Sequence, residues 1–122
     1  MSGIKSHRDL RAWQLAYSFG LRIYKVSATF PPDERFGLIS QIRRSAISVA
    51  SNIAEGYGRG STTDYIRFLR VARGSLFEVD TQLLYSKDLG YLTAETHREL
   101  FNDWNGVSMV LAGLIKSLEP NA

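Results

Sequence analysis

Cysteine is absent from this 122-residue chain, which also contains only three prolines and two histidines. Without cysteine the chain forms neither disulfides nor thiolate metal sites, which fits a protein of the reducing cytoplasm. The N-terminal residues lack the apolar core of a signal peptide, and the longest uncharged run near the C-terminus, residues 104–115, is too short to span a bilayer. We therefore expect a cytoplasmic protein with no membrane partner.

Charge of one sign is not strongly in excess either. Fifteen lysines and arginines against twelve acidic residues give a net charge of +3. A balance of this size permits binding to nucleic acid without requiring it, so charge alone does not select a function.

The chain also lacks the alternation of apolar and polar residues that is typical of β-strands. Apolar residues instead recur at helical spacing in four segments, 7–29, 33–55, 62–88 and 94–118. We therefore expect an all-α fold, an antiparallel up-down four-helix bundle, built by a single domain over residues 1–122.

Capping residues set the bounds of these segments. Ser6 and Asp9 form the S-x-x-D pattern of a helix start, and Thr93 is expected to cap the fourth helix. The acidic pair at 33–34 suits the N-terminus of the second helix. Gly56 is expected just beyond the end of that helix, since glycine tolerates a left-handed conformation there.

The first helix is predicted to be amphipathic, with one apolar stripe and one polar, solvent-exposed side. The stripe comprises Leu10, Trp13, Tyr17, Gly20 and Tyr24, with Ala16 and Ile23 beside them. The second and third helices differ, because each carries two seams of apolar or small residues. The second seam of helix 3 mixes arginines with large apolar side chains.

Exposed stripes of this length are unusual on monomers, so we expect a homo-oligomer formed largely through helices 2 and 3. The predicted interface residues are Arg44, Ser45, Ser48, Asn52, Glu55, Ile66, Arg70, Arg73 and Phe77. The alternative is that Arg70 and Arg73 lay their stems over Phe77 and keep their charged ends in water.

The segment QIRRSAISVASNIAEGYGR, residues 41–59, followed by FLRVARGSL and TQLL, resembles the four helix bundle protein family. Its members are also known as proteins encoded by intervening sequences of the large ribosomal RNA gene. The resemblance extends from the opening Leu10-x-x-Trp13 over nearly the whole chain. It departs at Ala50, where the family usually has proline, and at Phe77, where the family usually has a polar residue.

This resemblance implies an up-down four-helix bundle that assembles into a barrel-like pentamer. It also points to a structural relative, the accessory protein of diversity-generating retroelements, a basic pentamer that associates with a reverse transcriptase and nucleic acid. The family has no established activity, so the resemblance implies no catalytic residue.

No pattern in the chain indicates an enzyme. Neither His7 nor His97 has the preceding glutamate that a di-iron bundle needs, and the H-x-E at 97–99 lacks the cysteines of a zinc deaminase. We expect both histidines at the surface, and no catalytic residue, metal or cofactor. The glycine-rich segment 56–61 lacks the Walker lysine and is typical of a turn between helices, although Arg59 beside the next helix N-terminus is a candidate for binding a phosphate oxygen.

The remaining candidate is a basic surface for RNA or DNA, comprising Arg8, Arg11, Arg22, Lys25 and Arg59. Five copies at +3 carry +15, and such a surface binds phosphates with strong salt dependence and little sequence choice. We therefore expect a non-enzymatic, homo-oligomeric protein, a pentamer according to the resemblance, that acts as a nucleic-acid-binding or accessory protein through this basic surface. The alternative is a structural or protein-interaction module that presents the uncharged far side of helix 4, with Asn102, Asn105 and Met109, to a partner.

Overall fold

The computed structural model describes residues 3–120 of the chain. Its helices are α1 (Arg11–Ser27), α2 (Leu38–Gly58), α3 (Thr62–Asp88) and α4 (Ala94–Leu118), and two short 3₁₀ turns, His7–Asp9 and Pro32–Glu34, precede α1 and α2. The described residues contain no strand, so the all-α prediction is confirmed. No helix among residues 3–120 combines the length and the apolar character that crossing a bilayer requires.

The core lies between the four helices. Each helix contacts its neighbours along the chain, and α1 also contacts α4, which closes the ring. Buried side chains recur every three or four residues, as Ile42, Ala46, Val49 and Ile53 do in α2, because that spacing keeps them on one face of a helix. The buried ring of Trp104 in α4 donates its indole N–H to the Leu76 carbonyl oxygen of α3 at 2.6 Å, so its polar atom is satisfied.

The inward face of α1 differs from the predicted stripe. The buried residues of α1 are Ala12, Ala16, Phe19, Ile23 and Ser27. Tyr17, Leu21 and Tyr24 are instead exposed. The prediction of a single apolar face is wrong because it assigned the large aromatic residues to the core, whereas α1 packs inward through small residues and Phe19. α1 therefore carries a second, uncovered apolar face.

The N-termini of α1 and α2 both lie later in the chain than expected. Ser6 forms the predicted capping box with Asp9, but the box caps the first 3₁₀ turn, and α1 begins only after the extended residue Leu10. Gly37 has an irregular backbone before α2 (φ −109°, ψ −111°). The Glu34 carboxylate reaches past Gly37 and accepts the Leu38 N–H at 3.0 Å. The negative charge expected at the N-terminus of α2 is therefore supplied by a residue of the preceding 3₁₀ turn.

The C-terminal end of α2 lies later in the chain than expected. Gly56 is buried inside α2 rather than beyond it, and a Cβ at this position would lie 2.9 Å from the Phe68 Cβ of α3. Gly56 therefore permits a close helix crossing, while the left-handed residue is Gly60, with φ 85°. By contrast, α3 and α4 have the expected bounds, and the Thr93 side chain caps α4 by accepting the Thr96 N–H.

Candidate nucleic-acid interface

The predicted basic residues of α1 do not form one continuous charged surface. Arg11 and Lys25 are exposed and lie about 21 Å apart along the helix axis. Between them, Arg22 forms ion pairs with Asp103 and Glu99 of α4. Its charge is therefore balanced within the chain, and the polar side of α1 partly faces α4.

The other two candidates lie outside α1. Arg8 is exposed in the first 3₁₀ turn. Arg59, at the C-terminal end of α2, pairs with Glu55 at 3.2 Å and with Asp64 at 3.9 Å, and its guanidinium lies 5.2 Å from the Phe68 ring centroid. Because two carboxylates already face Arg59, it is a poor phosphate ligand.

A different cluster of arginines surrounds a groove between the end of α1 and the start of α2, which we call the basic groove. It is lined by Tyr24, Arg35, Phe36, Ile39, Ser40, Arg43, Arg44 and Ile47, and has a volume of about 500 Å³. None of these lining residues is acidic. Within residues 3–120, Arg35, Arg43 and Arg44 make no ion pair. The groove therefore concentrates positive charge that the chain itself does not neutralise.

Arg43 is the fixed residue of the basic groove. Its Nε donates to the Ser27 hydroxyl oxygen at 2.8 Å, and its Nη2 donates to the Tyr24 carbonyl oxygen at 3.1 Å. The guanidinium carbon lies 4.5 Å from the Tyr24 ring centroid, within the range of a cation–π contact. Arg43 thus joins the C-terminal end of α1, where positive charge is favoured, to α2. Its Nη1 has no partner among the described residues.

Two aromatic rings accompany these arginines. Tyr24 lies under Arg43, and Phe36 is 88% exposed, with the Arg35 guanidinium 5.8 Å from its ring centroid. Arginine presents a planar fork of donors that matches phosphate oxygens, and exposed aromatic rings stack on nucleic-acid bases. The groove therefore offers both chemical groups that a nucleotide strand requires.

The acidic residue nearest in sequence to these arginines faces elsewhere. Glu34 accepts the Leu38 N–H through one carboxylate oxygen and the Tyr91 hydroxyl through the other, at 2.9 Å. The Leu38 N–H, and then the Tyr91 hydroxyl, hold the pKa of Glu34 below its usual value. The same hydrogen bond raises the pKa of Tyr91. Glu34 therefore remains an anion engaged with its own partners.

The second seam of α2, which we predicted to meet another copy of the chain, is covered by α3 of the same chain. Ser45 is buried and accepts a hydrogen bond from Gln82 Nε2 at 3.1 Å. The hydroxyl oxygens of Ser48 and Ser75 are 2.8 Å apart, and Asn52 donates to Ser48 at 2.9 Å. Polar side chains thus pair across this helix contact, as buried polar groups must.

Ile66 of α3 is also buried, at 8% exposure, so Ser45 and Ile66 are already covered within one chain, while the interface as a whole stays a prediction. Of the other predicted interface residues, Ser48 and Asn52 are half-buried, and five are exposed, namely Arg44, Glu55, Arg70, Arg73 and Phe77. Arg70 pairs with Glu119 at 2.5 Å, and the Phe77 ring meets Trp104 edge-on at 5.3 Å. Glu55 also has a partner, Arg59, and all five residues leave part of their surface open.

A second groove, which is mostly apolar, lies between α1 and α2, and we call it the apolar groove. Its lining includes Trp13, Tyr17, Leu21, Tyr24, Ile47 and Ala50, and it has a volume of about 460 Å³. Tyr17, Leu21 and Ile47 are each about half exposed, at 50%, 49% and 48%. Tyr24 and Ile47 line both grooves, so the apolar groove continues into the basic groove.

Both histidines lie at the surface, as expected, and each is half-buried. His7 packs edge-on against Trp13 at 5.2 Å, and His97 stacks on Phe101 at 6.3 Å. Among residues 3–120, no three histidines or carboxylates come together in a way that would hold a metal ion. Both histidines therefore act as packing groups in this structure.

Sequence reasoning missed the basic groove because Arg35 and Phe36 belong to no motif. One signal was available: between Phe36 and Ala54 the only charged residues are Arg43 and Arg44. Two arginines in a stretch of helix with no other charge, close to an aromatic residue in a loop, combine the groups that contact phosphates and bases. The helical spacing of Ser40, Arg43 and Ile47 places them on one side of α2.

Comparison with known proteins supports the predicted resemblance. A family model described as 23S rRNA-intervening sequence protein matches residues 8–113. A crystal structure from Bacteroides thetaiotaomicron VPI-5482, of a protein with unknown function from the S23 ribosomal protein family, is similar with a TM-score of 0.80. It is 25% identical in sequence, over 86% of this chain and 95% of its own. No curated protein matches the sequence.

Proposed function

The chain belongs to the 23S rRNA-intervening sequence protein family, and on that premise we propose that it is a non-enzymatic nucleic-acid-binding or accessory protein of the cytoplasm. It acts as a homo-oligomer of up-down four-helix bundles. The observation that supports nucleic-acid binding is the basic groove, in which Arg35, Arg43 and Arg44 lie beside two aromatic rings with no acidic lining residue. This groove replaces the basic surface that the sequence predicted, Arg8, Arg11, Arg22, Lys25 and Arg59, as the proposed contact surface.

Phosphate binding follows from the charge distribution. A nucleic-acid strand that contacts the groove releases counterions, so affinity depends steeply on salt. The fixed guanidinium of Arg43 is already ordered by Ser27 and Tyr24, which lowers the entropy cost of binding. Arg35 and Arg44 add charge on either side of it along the chain.

Assembly is supported by the apolar groove. Its half-exposed aromatic and aliphatic side chains form a continuous surface of a kind that marks interaction sites. A second copy of the chain covers it in our proposal, with a pentamer as the order that the family resemblance implies. Since the two grooves share Tyr24 and Ile47, assembly brings the basic grooves of neighbouring copies close to the interfaces and adds their charge together.

Titration of the purified protein with labelled RNA and DNA tests the binding proposal. We expect binding at about 50 mM salt that weakens by at least tenfold at about 200 mM. No binding at the lower salt concentration would reject nucleic-acid binding. Sedimentation at micromolar protein concentration tests assembly independently, and Leu21→Asp is expected to reduce it because it places a charge in the apolar groove. A clean monomer of the unmodified chain would reject assembly.

A structural or protein-interaction module is the second candidate. Met109 of α4 is 75% exposed, and Asn102 and Asn105 beside it are exposed as well. Methionine adapts its shape to partner surfaces. A protein partner that is recovered after nuclease treatment, and is lost with Met109→Glu, would favour this candidate over nucleic-acid binding.

A further inference from the structure

Phe36 has the most exposed large apolar side chain among residues 3–120, at 88%. It lies in the connection between the 3₁₀ turn Pro32–Glu34 and α2. Apart from the Arg35 guanidinium, the described residues place no cation or ring against it. The ring therefore contributes little to the packing of this chain and is free to meet a planar partner.

The connection that carries Phe36 is held on both sides. Before it, the Glu34 carboxylate is bound by the Tyr91 hydroxyl and by the Leu38 N–H. After it, the Gly37 N–H donates to the Glu34 carbonyl oxygen at 3.0 Å. The backbone around the ring is thus ordered, so the ring is presented to solvent from a fixed support.

Phosphate-binding groups lie within reach of a strand that starts at this ring. Arg35 directly precedes Phe36. Arg44 lies six residues into α2 from Leu38, or about 9 Å along the helix axis. In a stacked strand each nucleotide rises about 3.4 Å along the strand axis, so the axial distance from the start of α2 to Arg44 corresponds to two or three nucleotides. The unpartnered Nη1 of Arg43 falls within that span.

The ring distinguishes single strands from duplexes. Inside a duplex the base faces stack on one another, and a protein ring stacks on a base only where that base is unpaired. Arginines alone would bind either form through phosphates. Resting on the proposed function, we infer that the basic groove takes a single-stranded RNA or DNA segment, with an unpaired base stacked on Phe36 and the neighbouring phosphates held by Arg35 and Arg44.

Fluorescence anisotropy tests this inference with labelled single strands of about 12 nucleotides, a typical site size, and with matched blunt-ended duplexes of the same length, which contain no unpaired base. Phe36→Ala should lower affinity for the single strand by roughly 5- to 150-fold, the usual range for losing one stacked base, and leave affinity for the duplex within about twofold. Tyr85→Ala is the matched control, because Tyr85 is an exposed ring, at 62%, outside the basic groove, and it should leave both affinities unchanged.

Phe36→Trp provides a direct readout of stacking. It should retain affinity for the single strand, and the added indole should be quenched when the single strand binds. Trp13 and Trp104 are also present in the unmodified chain, so its titration supplies the background signal. Quenching by the RNA strand or by the DNA strand supports the inference and identifies which strand is bound.

The outcomes separate this inference from the proposed function. No binding of any nucleic acid by the unmodified chain rejects both. Equal affinity for strand and duplex, with no effect of Phe36→Ala, rejects the stacked single strand and leaves phosphate binding intact. If Phe36→Ala instead disrupts assembly in sedimentation without changing single-strand affinity, Phe36 is an interface residue and the inference is wrong. Since Phe36 is exposed, Phe36→Ala should keep the native helical circular dichroism.

Discussion

The two ends of α2 use the same side chains in opposite ways. At the C-terminal end, Arg59 and Arg67 both lie near the Phe68 ring, and both pair with Asp64. At the N-terminal end, Arg35 lies near Phe36 and Arg43 near Tyr24, but no carboxylate of the described residues pairs with either arginine. Counting basic residues therefore does not distinguish the two ends of α2, whereas asking which arginines have a carboxylate partner does.

Packing differs between the two ends as well. The C-terminal end is closed, because Gly56 lets α3 approach until no side chain fits between the helices. The N-terminal end opens into the basic groove. The C-terminal end of α2 is thus packed against α3, whereas its N-terminal end borders an open groove.

The largest effect should come from removing charge at the open end. Arg35→Gln with Arg44→Gln should lower nucleic-acid affinity by about 100-fold, or about 2.8 kcal/mol. It should also reduce the salt slope for a single strand by about 1.4, because each lost phosphate contact removes about 0.7. Anisotropy titrations at several salt concentrations measure both quantities.

Arg59→Gln with Arg67→Gln is the matched control, since it removes the same charge from the closed end. We expect affinity within about threefold of the unmodified chain, because these arginines already face Glu55 and Asp64 and such exposed pairs contribute little. Equal losses for the two double variants would mean that net charge, and not the unpaired arginines, determines binding.

The next effect concerns the close crossing at the closed end. Gly56→Ala should destabilise the fold by about 1–3 kcal/mol, because its Cβ would lie 2.9 Å from the Phe68 Cβ and a packed core resists added atoms. Gly58→Ala, with no atom within 4 Å, should be neutral or stabilising by up to about 1 kcal/mol. Urea unfolding compares the two. A similar cost at both positions would show that helix propensity, rather than contact with α3, is responsible.

Much of the fold follows from the sequence because it depends on local patterns. The start of α3 follows from Ser61, whose side chain accepts the Asp64 N–H, and the start of α4 follows from the cap at Thr93. The inward face of α2 follows from the spacing of its buried aliphatic residues. These features depend on residues close together in the chain, so a single sequence contains them. The capping box at Ser6 was equally visible, although it caps a 3₁₀ turn instead of α1.

The candidate site was less predictable because it depends on partners distant in sequence. Arg22 forms an ion pair with Asp103, 81 residues later, and the Ser45 side chain accepts a hydrogen bond from Gln82, 37 residues later. Helical spacing cannot reveal such pairs. The aromatic residues of α1 were assigned inward because large apolar side chains are usually buried, but Ala12 and Ala16 let the helices approach more closely than Tyr17 would.

A smaller effect should separate the fixed arginine from its free neighbour. Arg43→Lys loses the geometry that reaches both Ser27 and Tyr24, and should cost about 1–2 kcal/mol at about 1 kcal/mol for each hydrogen bond. Arg44→Lys keeps the charge at an exposed site with no partner among the described residues, and should change stability by less than about 0.5 kcal/mol. Urea unfolding measures both, and equal costs would show that Arg43 does not join α1 to α2.

The smallest effect should come from Tyr91→Phe, which removes one partner of the carboxylate that borders the open end. The pKa of Glu34 is lowered in the folded chain, so its contribution is present above the usual value of 4.5 and is lost as the pH falls through the folded pKa. The pKa of Tyr91 is raised, so its contribution is present below the usual value of 10.0 and is lost as the pH rises through the folded pKa.

The stability difference between the unmodified chain and Tyr91→Phe should therefore be greatest between these two pH limits and shrink on both sides. Urea midpoints measured across the range give this difference, and the other ionisable groups cancel because both chains share them. Tyr85→Phe provides the control, since no hydrogen bond of its hydroxyl is found among the described residues. A difference that is constant with pH would mean that the Tyr91 hydroxyl does not act through Glu34, and that the support for the Phe36 connection lies in the backbone alone.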